Sequence, residues 1–410
     1  MNKILIKNIG ELLTGRKGSL EILHDKEILI SEGKIESVGK SGEFSEEGCE
    51  IIDAGNSLVT PGLVDPHTHL IFFGTREDEF EMRIKGASYM EIAAAGGGIR
   101  KSVKMLREAS EDDLVEHSLP YLENMLRHGT TTVEVKSGYG LSLKDELKSL
   151  RALKRLNEMQ KVDLVPTFLG AHEFPDEYCG ADSTDREKYI DLIINEMIPA
   201  VVEEGLAEFC DIFTEEGVFT VAESEKILMA ASDAGLGLKL HAEEFEPIGG
   251  AELAAKLNAV SADHLVAVSD EGIQSLKEAG VTPVLLPGTT FFLGSDVYAP
   301  ARKMIDAGLR PAIATDFNPG SSMTESLQII LTIACLKLKL TPLEAFEAVT
   351  LNAAKALNRS DSIGSLETGM KADIVIWNAD NHKQIPYHYG VNNARTVIKG
   401  GEVVFHYYSV

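Results

Sequence analysis

The chain has 410 residues, and its 64 acidic against 39 basic side chains leave a formal net charge of −25. That length calls for more than one domain or for one large barrel with additions, and 44% hydrophobic residues exclude a disordered chain. So large an acid excess argues against nucleic acid or an anionic membrane as partner and is ordinarily the mark of a solvated surface.

In chain order, the first 58 residues read as strands and turns. EILISEGKIESVGK, at 27–40, alternates apolar and polar residues around a Glu-Gly turn. From 59 to 364, short apolar runs alternate with helical patterns, as parallel βα units do. The runs are LVDPHTH, TTTVEVKSG, VDLVPTFLGAH, EFCDIFTEEG, LGLKLHAEE, AVSADHLV, VTPVLLPG and PAIATDFNPG. Helix signals follow several of them. Thr220 with Glu223 forms a capping box, Ser269 precedes Asp270 and Glu271, and Thr341, Pro342 and Glu344 supply N-cap, N1 and N3. Gly235 and Gly280 fall where helices stop. From 365 to 410 the strands return, as ADIVIWNA and as ARTVIKGGEVVF with a Gly-Gly turn. The expected fold is a TIM (β/α)8 barrel over 59–364, with a small β-sandwich domain built from 1–58 and 365–410. The alternative, an open doubly wound sheet, gives no reason for the polar pattern below.

Three further features bear on setting. Cys49, Cys179, Cys210 and Cys335 are scattered, without a CxxC pair, as in a reduced cytoplasmic protein. The first 18 residues alternate and break too early for a secretory signal, and LQIILTIACLKLKL is too short and interrupted to span a bilayer. A soluble cytoplasmic protein is expected.

Nearly every apolar run ends in a residue able to bind a metal or move a proton: His67 and His69, Lys136, His172, Glu215, His241, His264 and Asp316. The seventh ends at Pro287 without one. In a TIM barrel these ends gather on one face, where the chemistry lies. One such histidine is commonly structural, whereas a series in register with strand ends is not a chance arrangement. His67 and His69 are two apart on a strand and share a face, so both imidazoles can meet one ion. With His241 and Asp316 they offer three nitrogens and a carboxylate, a set suited to zinc or ferrous iron. An ion with an open position acidifies water toward a pKa of ~7. Glu244, three residues past His241, is placed as a proton shuttle, while the neighbouring Glu243 also fits a helix N-terminal acid. His264 could polarise a carbonyl, share the proton work or stabilise its loop. Lys136 could be a carbamylated metal bridge. It stands on the second run rather than the fourth, so one metal and a supporting lysine are expected.

PGLVDPHTHL and ATDFNPGSS resemble the amidohydrolase superfamily, metal hydrolases on a TIM barrel. Across nearly the whole chain, VDPHTHLIFFGTRE, AAGGGI, GTTTVEVKSGYGL, FLGAHEFP, DIFTEEGVFT, LKLHAEE, SADHL, LLPGTTFFLG, ATDFNPGSS and PYHYGVN resemble, in order, the imidazolonepropionase family of histidine degradation. The resemblance implies hydrolysis of 4-imidazolone-5-propanoate to N-formimidoyl-L-glutamate with one zinc or iron(II) ion. It implies His67, His69, His241 and Asp316 as ligands, and Arg76, Tyr139, His172, Glu244, Asn318, Gly320 and Ser321 as positions near substrate or product. Opening a cyclic amide needs a nucleophile, an electrophile on the carbonyl and a proton for nitrogen. The metal, His264 or His172 could serve the carbonyl, and Glu244 or Asp316 could carry the proton. The forked guanidinium of Arg76 suits the propanoate carboxylate, although a surface pair with Glu77 or Asp78 is the plainer reading of that residue alone. Tyr139 stands between Gly138 and Gly140, which free the backbone to place its ring.

Two rivals remain at this level. A cytosine- or guanine-type cyclic-amidine deaminase would share the metal pattern but have no use for Arg76. A barrel without catalysis would lack part of the metal set. The Gly-rich stretch 93–99 lacks a phosphate-loop ending and suggests a lid over the mouth within 70–100. PYHYGVN suggests domain packing, or a contact in an expected homodimer.

Overall fold

A computed structural model describes residues 3–16, 19–87, 91, 96–178 and 183–407. Cys179, and within the proposed lid residues 88–90 and 92–95, which include Met90 and part of the Gly-rich stretch, lie outside the described residues.

The N-terminal segment forms β1 (Lys3–Arg16), β2 (Ser19–Leu23), β3 (Lys26–Ser31), β4 (Lys34–Lys40) and β5 (Cys49–Pro61). The β3–β4 hairpin turns on Glu32 and Gly33, both at positive φ (53° and 76°). That is the two-residue turn whose twist matches its flanking strands. The eight apolar runs become the parallel strands β6 (Leu63–Asp65), β7 (Thr130–Lys136), β8 (Asp163–Ala171), β9 (Phe209–Thr214), β10 (Gly237–Ala242), β11 (Ser261–His264), β12 (Thr282–Leu285) and β13 (Ala312–Ile313). They pair strictly in chain order from β6 to β13. Helices follow them where the sequence signals stand. Thr220 and Thr341 each close a capping box, Ser269 caps through the Gly272 N–H, and Gly280 ends its helix at φ 72°.

β6 and β13 are too short to close the barrel by a ladder, so the closure is made just beyond them. The Asp316 N–H donates to the His67 carbonyl (3.1 Å) and the His69 N–H to the Phe317 carbonyl (2.9 Å). Below this seam the Asp65 carboxylate accepts from the Thr315 N–H (3.1 Å) and hydroxyl (2.6 Å). The barrel therefore shuts through the residues that carry the first and last metal-type side chains.

The C-terminal segment adds β14 (Ile374–Trp377), β15 (Ala394–Lys399) and β16 (Glu402–His406). β14 pairs antiparallel with β5, which lies parallel to β1, so both ends of the chain share one eight-stranded sheet. Trp377 is fully buried and donates to the Thr60 hydroxyl across that junction (2.9 Å). In PYHYGVN, Pro386 is buried and its carbonyl accepts from Thr332, as domain packing requires, whereas Tyr387 and Tyr389 are 85% and 68% exposed.

Candidate metal centre and active site

His67 and His69 follow β6, and His241 stands near the end of β10, four strands away across the barrel. One ring nitrogen from each falls within 4.8 Å of the others. His241 Nε2 is 3.3 Å from His69 Nε2, and Asp316 Oδ1 is 3.5 Å from His67 Nε2 and 3.4 Å from His69 Nε2. Ligands 2.0–2.1 Å from a tetrahedral ion stand about 3.3–3.4 Å apart, so these separations suit a zinc-sized cation. His67 Nε2 and Asp316 Oδ1 are buried without a hydrogen-bond partner among the described residues. Such atoms are costly unless something binds them. The donor set thus fits a metal ion.

The imidazoles are held from behind. His67 Nδ1 bonds Asp263 Oδ2 at 2.6 Å, which turns its Nε2 lone pair inward. His241 Nδ1 stands 3.0 Å from Asp211 Oδ2, off the line of an ideal hydrogen bond. Lys136 lies between these carboxylates and is itself fully buried, 2.7 Å from Asp211, 2.7 Å from Glu134 and 3.7 Å from Asp263. Burial opposes its charge, but Asp211, Glu134 and Asp263 outweigh burial and hold its pKa above the ordinary lysine value. Burial, reinforced by neighbouring cationic groups, keeps His67 and His69 far below the usual imidazole range and therefore neutral, as ligands must be. Burial pushes Asp316 up to about 6, against the hydrogen bond from Thr289 to its Oδ2 (2.5 Å).

Around this cup lie the other residues singled out by motif. His264 Nδ1 is 3.6 Å from Glu244 Oε2. Burial, with Asp316 and Glu215 nearby, drives Glu244 well above the usual carboxylate range. Glu243 is a helix N-terminal acid, accepting from the Gly249 and Ala251 N–H groups at 3.2 and 3.4 Å. Glu215 accepts from the Phe245 and Glu246 N–H groups (3.0 and 3.1 Å), which fixes the loop bearing Glu244. His172 stacks on His69 with centroids 5.0 Å apart and bonds the Gly138 carbonyl at 3.0 Å. Burial lowers its pKa to about 3. Gly138 has φ 109°, and a Cβ there would stand 3.0 Å from His172 Nδ1, so both conformation and space demand glycine. Tyr139 is buried, its ring 5.4 Å from that of His172.

Arg76 does not pair with Glu77 or Asp78. Its Nε and Nη2 both bond Glu79 Oε2 (3.0 and 2.7 Å), and its side chain is only 13% exposed. The Nη1 edge lies against Gly320, where a Cβ would come within 2.3 Å. Asn318 is engaged in its own loop. Its Oδ1 accepts from the Gly320 and Ser321 N–H groups (both 2.8 Å), and its Nδ2 donates to the Asp316 carbonyl and the Ser321 hydroxyl. Asp316, His264 and Glu243 have φ of 51°, 74° and 56°. Non-glycine residues held there store backbone strain, which gathers at working sites.

Residues 58–404 match the model of the amidohydrolase family. The chain is 53% identical over 412 residues to imidazolonepropionase of Bacillus velezensis, covering 98% of this chain and 96% of the relative. It is 51% identical over 399 residues to that of Geobacillus kaustophilus, covering 96% and 93%. The chain belongs to the amidohydrolase family, among its imidazolonepropionases. A crystal structure of 5-methylcytosine deaminase from Klebsiella pneumoniae, liganded with 5-fluorocytosine, superposes with a TM-score of 0.76 over 99% of this chain and 98% of that one. At 18% identity it shares the amidohydrolase fold and no more.

In this imidazolonepropionase-family barrel, several buried polar residues escaped the motif reading: Glu134, Asp211, Lys239, Asp263, Thr289 and Glu79. A pattern existed for two pairs. Glu134 with Lys136, and Lys239 with His241, are charged or ionisable residues two apart in otherwise apolar strands, and so share the inward face. Thr289 supplies what the seventh run lacked, since the helix Pro287–Phe292 after β12 points its hydroxyl at Asp316.

Proposed function

We propose that the chain hydrolyses the cyclic amide of 4-imidazolone-5-propanoate to N-formimidoyl-L-glutamate, in histidine degradation, with one zinc or iron(II) ion held by His67, His69, His241 and Asp316. The observation that carries the metal reading is the convergence of three imidazole nitrogens within 4.8 Å of one another, His69 and His241 being 3.3 Å apart, with the orphaned Asp316 Oδ1 3.5 and 3.4 Å from His67 and His69. Charge supports it. Around the cup the buried acids Glu134, Asp211, Glu215, Asp263 and Asp316 outnumber the buried Lys136 and Lys239, as suits a bound cation. Such an ion, when bound, supplies Lewis acidity and an acidified water.

The remaining steps fall to side chains. Arg76 binds the propanoate carboxylate, with Tyr139 as a phenol donor beside it. Neutral His172 spends its Nδ1–H on the Gly138 carbonyl, so its Nε2 accepts from the substrate ring. Glu244 takes a proton from the attacking water and delivers it to the ring nitrogen as the carbon–nitrogen bond breaks. A carboxyl raised by burial is suited to hold that proton between the two events. His264, beside Glu244, orients it and offers its other nitrogen to the amide carbonyl. Asn318, Gly320 and Ser321 shape the loop against which Arg76 lies. No helix among the described residues is long and apolar enough to cross a membrane, and a cytoplasmic homodimer is the proposed setting, with Tyr387 and Tyr389 available as contact surface.

The deciding assay offers imidazolone propanoate, cytosine and guanine in parallel. Turnover of the imidazolone, abolished by a chelator and restored by zinc or ferrous iron, is the expected result. Ammonia release from a nucleobase with no turnover of the imidazolone would replace this reading with a deaminase.

A further inference from the structure

Lys136 does more than neutralise buried acids. Its ammonium is 2.7 Å from Asp211, which faces His241, and 3.7 Å from Asp263, which holds His67. Its backbone N–H donates to the carbonyl of Thr68, the residue between His67 and His69 (2.9 Å). On the same strand, the Glu134 carbonyl accepts from the Thr68 hydroxyl (2.7 Å), and the Glu134 carboxylate accepts from Lys136 and from Thr167 (2.5 Å). One residue thus reaches the support of all three imidazoles, two through carboxylates and one through the backbone. Carboxylates that accept from the outer N–H of imidazole ligands fix the tautomer and ring orientation. Here they come from different strands, β9 and β11, and the ammonium of Lys136 on β7 lies within 2.7 Å of one and 3.7 Å of the other, with Lys239 of β10 buried nearby.

We propose that Lys136 is a positioning residue that sets the three-histidine cup before the metal arrives, by clamping Asp211 and Asp263 together. It touches neither substrate nor ion. The proposal rests on the metal reading above and extends it to a residue that the catalytic scheme leaves unused.

Charge and position must be separated in the test. Removing Lys136 alone would leave the cup more negative, and simple attraction would then favour a cation. The double variant Lys136→Met with Glu134→Gln removes one charge of each sign, so the net charge around the cup is kept while the clamp is lost. Apo protein, prepared with a chelator and checked for folding by near-ultraviolet circular dichroism, is titrated with zinc against a chromophoric competitor. The double variant should bind zinc roughly 10–100-fold more weakly than wild type, the range seen when groups supporting a ligand are removed. A folded double variant with wild-type zinc affinity would overturn the role of Lys136. Wild-type protein that binds no zinc or ferrous iron would instead overturn the metal reading itself. A second measurement needs no variant. In apo wild-type protein, labelled at histidine, the Nδ1 protons of His67 and His241 should appear as slowly exchanging resonances unchanged in number by zinc. Their absence until zinc is added would show that the ion, not Lys136, assembles the cup.

Discussion

Arg76 answers to two carboxylates. Glu79 occupies its Nε and Nη2, which fixes the plane of the guanidinium and leaves the Nη1 edge toward Gly320. A substrate carboxylate therefore meets a cation already aimed, with little side-chain entropy left to lose. Arg76→Ala should raise KM by roughly 10–150-fold, the equivalent of ~1.5–3 kcal/mol for a charge-assisted contact, with kcat changed far less. An unchanged KM in steady-state assays would remove Arg76 from the substrate. Glu244 makes the opposite demand, because its work lies in the reaction rather than in binding. Glu244→Gln should lower kcat by ~10²–10⁴-fold while zinc stays bound, and loss of zinc by elemental analysis would make it a ligand instead. At this scale the sequence was most legible where identical chemistry repeats at fixed spacing, as in His67-Thr68-His69. It was least legible where one residue acts on another from a different strand. Nothing in the run EFCDIFTEEG marks Asp211 as the partner of His241, because that pairing exists only once β9 and β10 lie side by side.

At the level of elements, local rules and the barrel agree wherever the rule concerns a helix end. Thr341 accepts from the Glu344 N–H (3.3 Å), and Glu344 returns bonds to the Thr341 N–H (2.8 Å) and hydroxyl (2.9 Å) while also pairing with Arg302. All of this lies within four residues of one chain segment and one neighbouring helix, so the cap was readable in advance. Thr341→Ala should cost about 1 kcal/mol in denaturant unfolding and leave kcat and KM unchanged. A loss of activity at native stability would tie this helix to the site. Strand length was not readable in the same way. LVDPHTH and PAIATDFNPG look like full strands, yet β6 and β13 keep three and two residues. After β13 the backbone turns left-handed at Asp316 and spends its hydrogen bonds on closing the barrel and ordering the Asn318 loop. Hydrophobic periodicity cannot register that exchange, because the residues stay buried whether or not they form a ladder.

For the whole molecule, a net charge of −25 opposes an anionic substrate. Long-range repulsion reaches about 30 Å at 0.01 M salt and about 8 Å at 0.15 M. The Arg76 contact is local, with a side chain only 13% exposed, and salt weakens it much less. Adding salt over that interval should therefore remove the obstacle before it weakens the attraction, and KM for imidazolone propanoate should fall. This is the reverse of the behaviour of an enzyme that steers its substrate by surface charge, whose capture slows as salt rises. The two contributions separate by mutation. Arg76→Ala should raise KM at every salt concentration yet keep the downward slope, since the slope belongs to the acidic surface and the offset to the pocket. A wild-type KM that climbs steadily with salt would mean that the positive potential of the pocket reaches into solvent despite the surrounding acids. A slope abolished in Arg76→Ala would place the salt dependence in that single guanidinium.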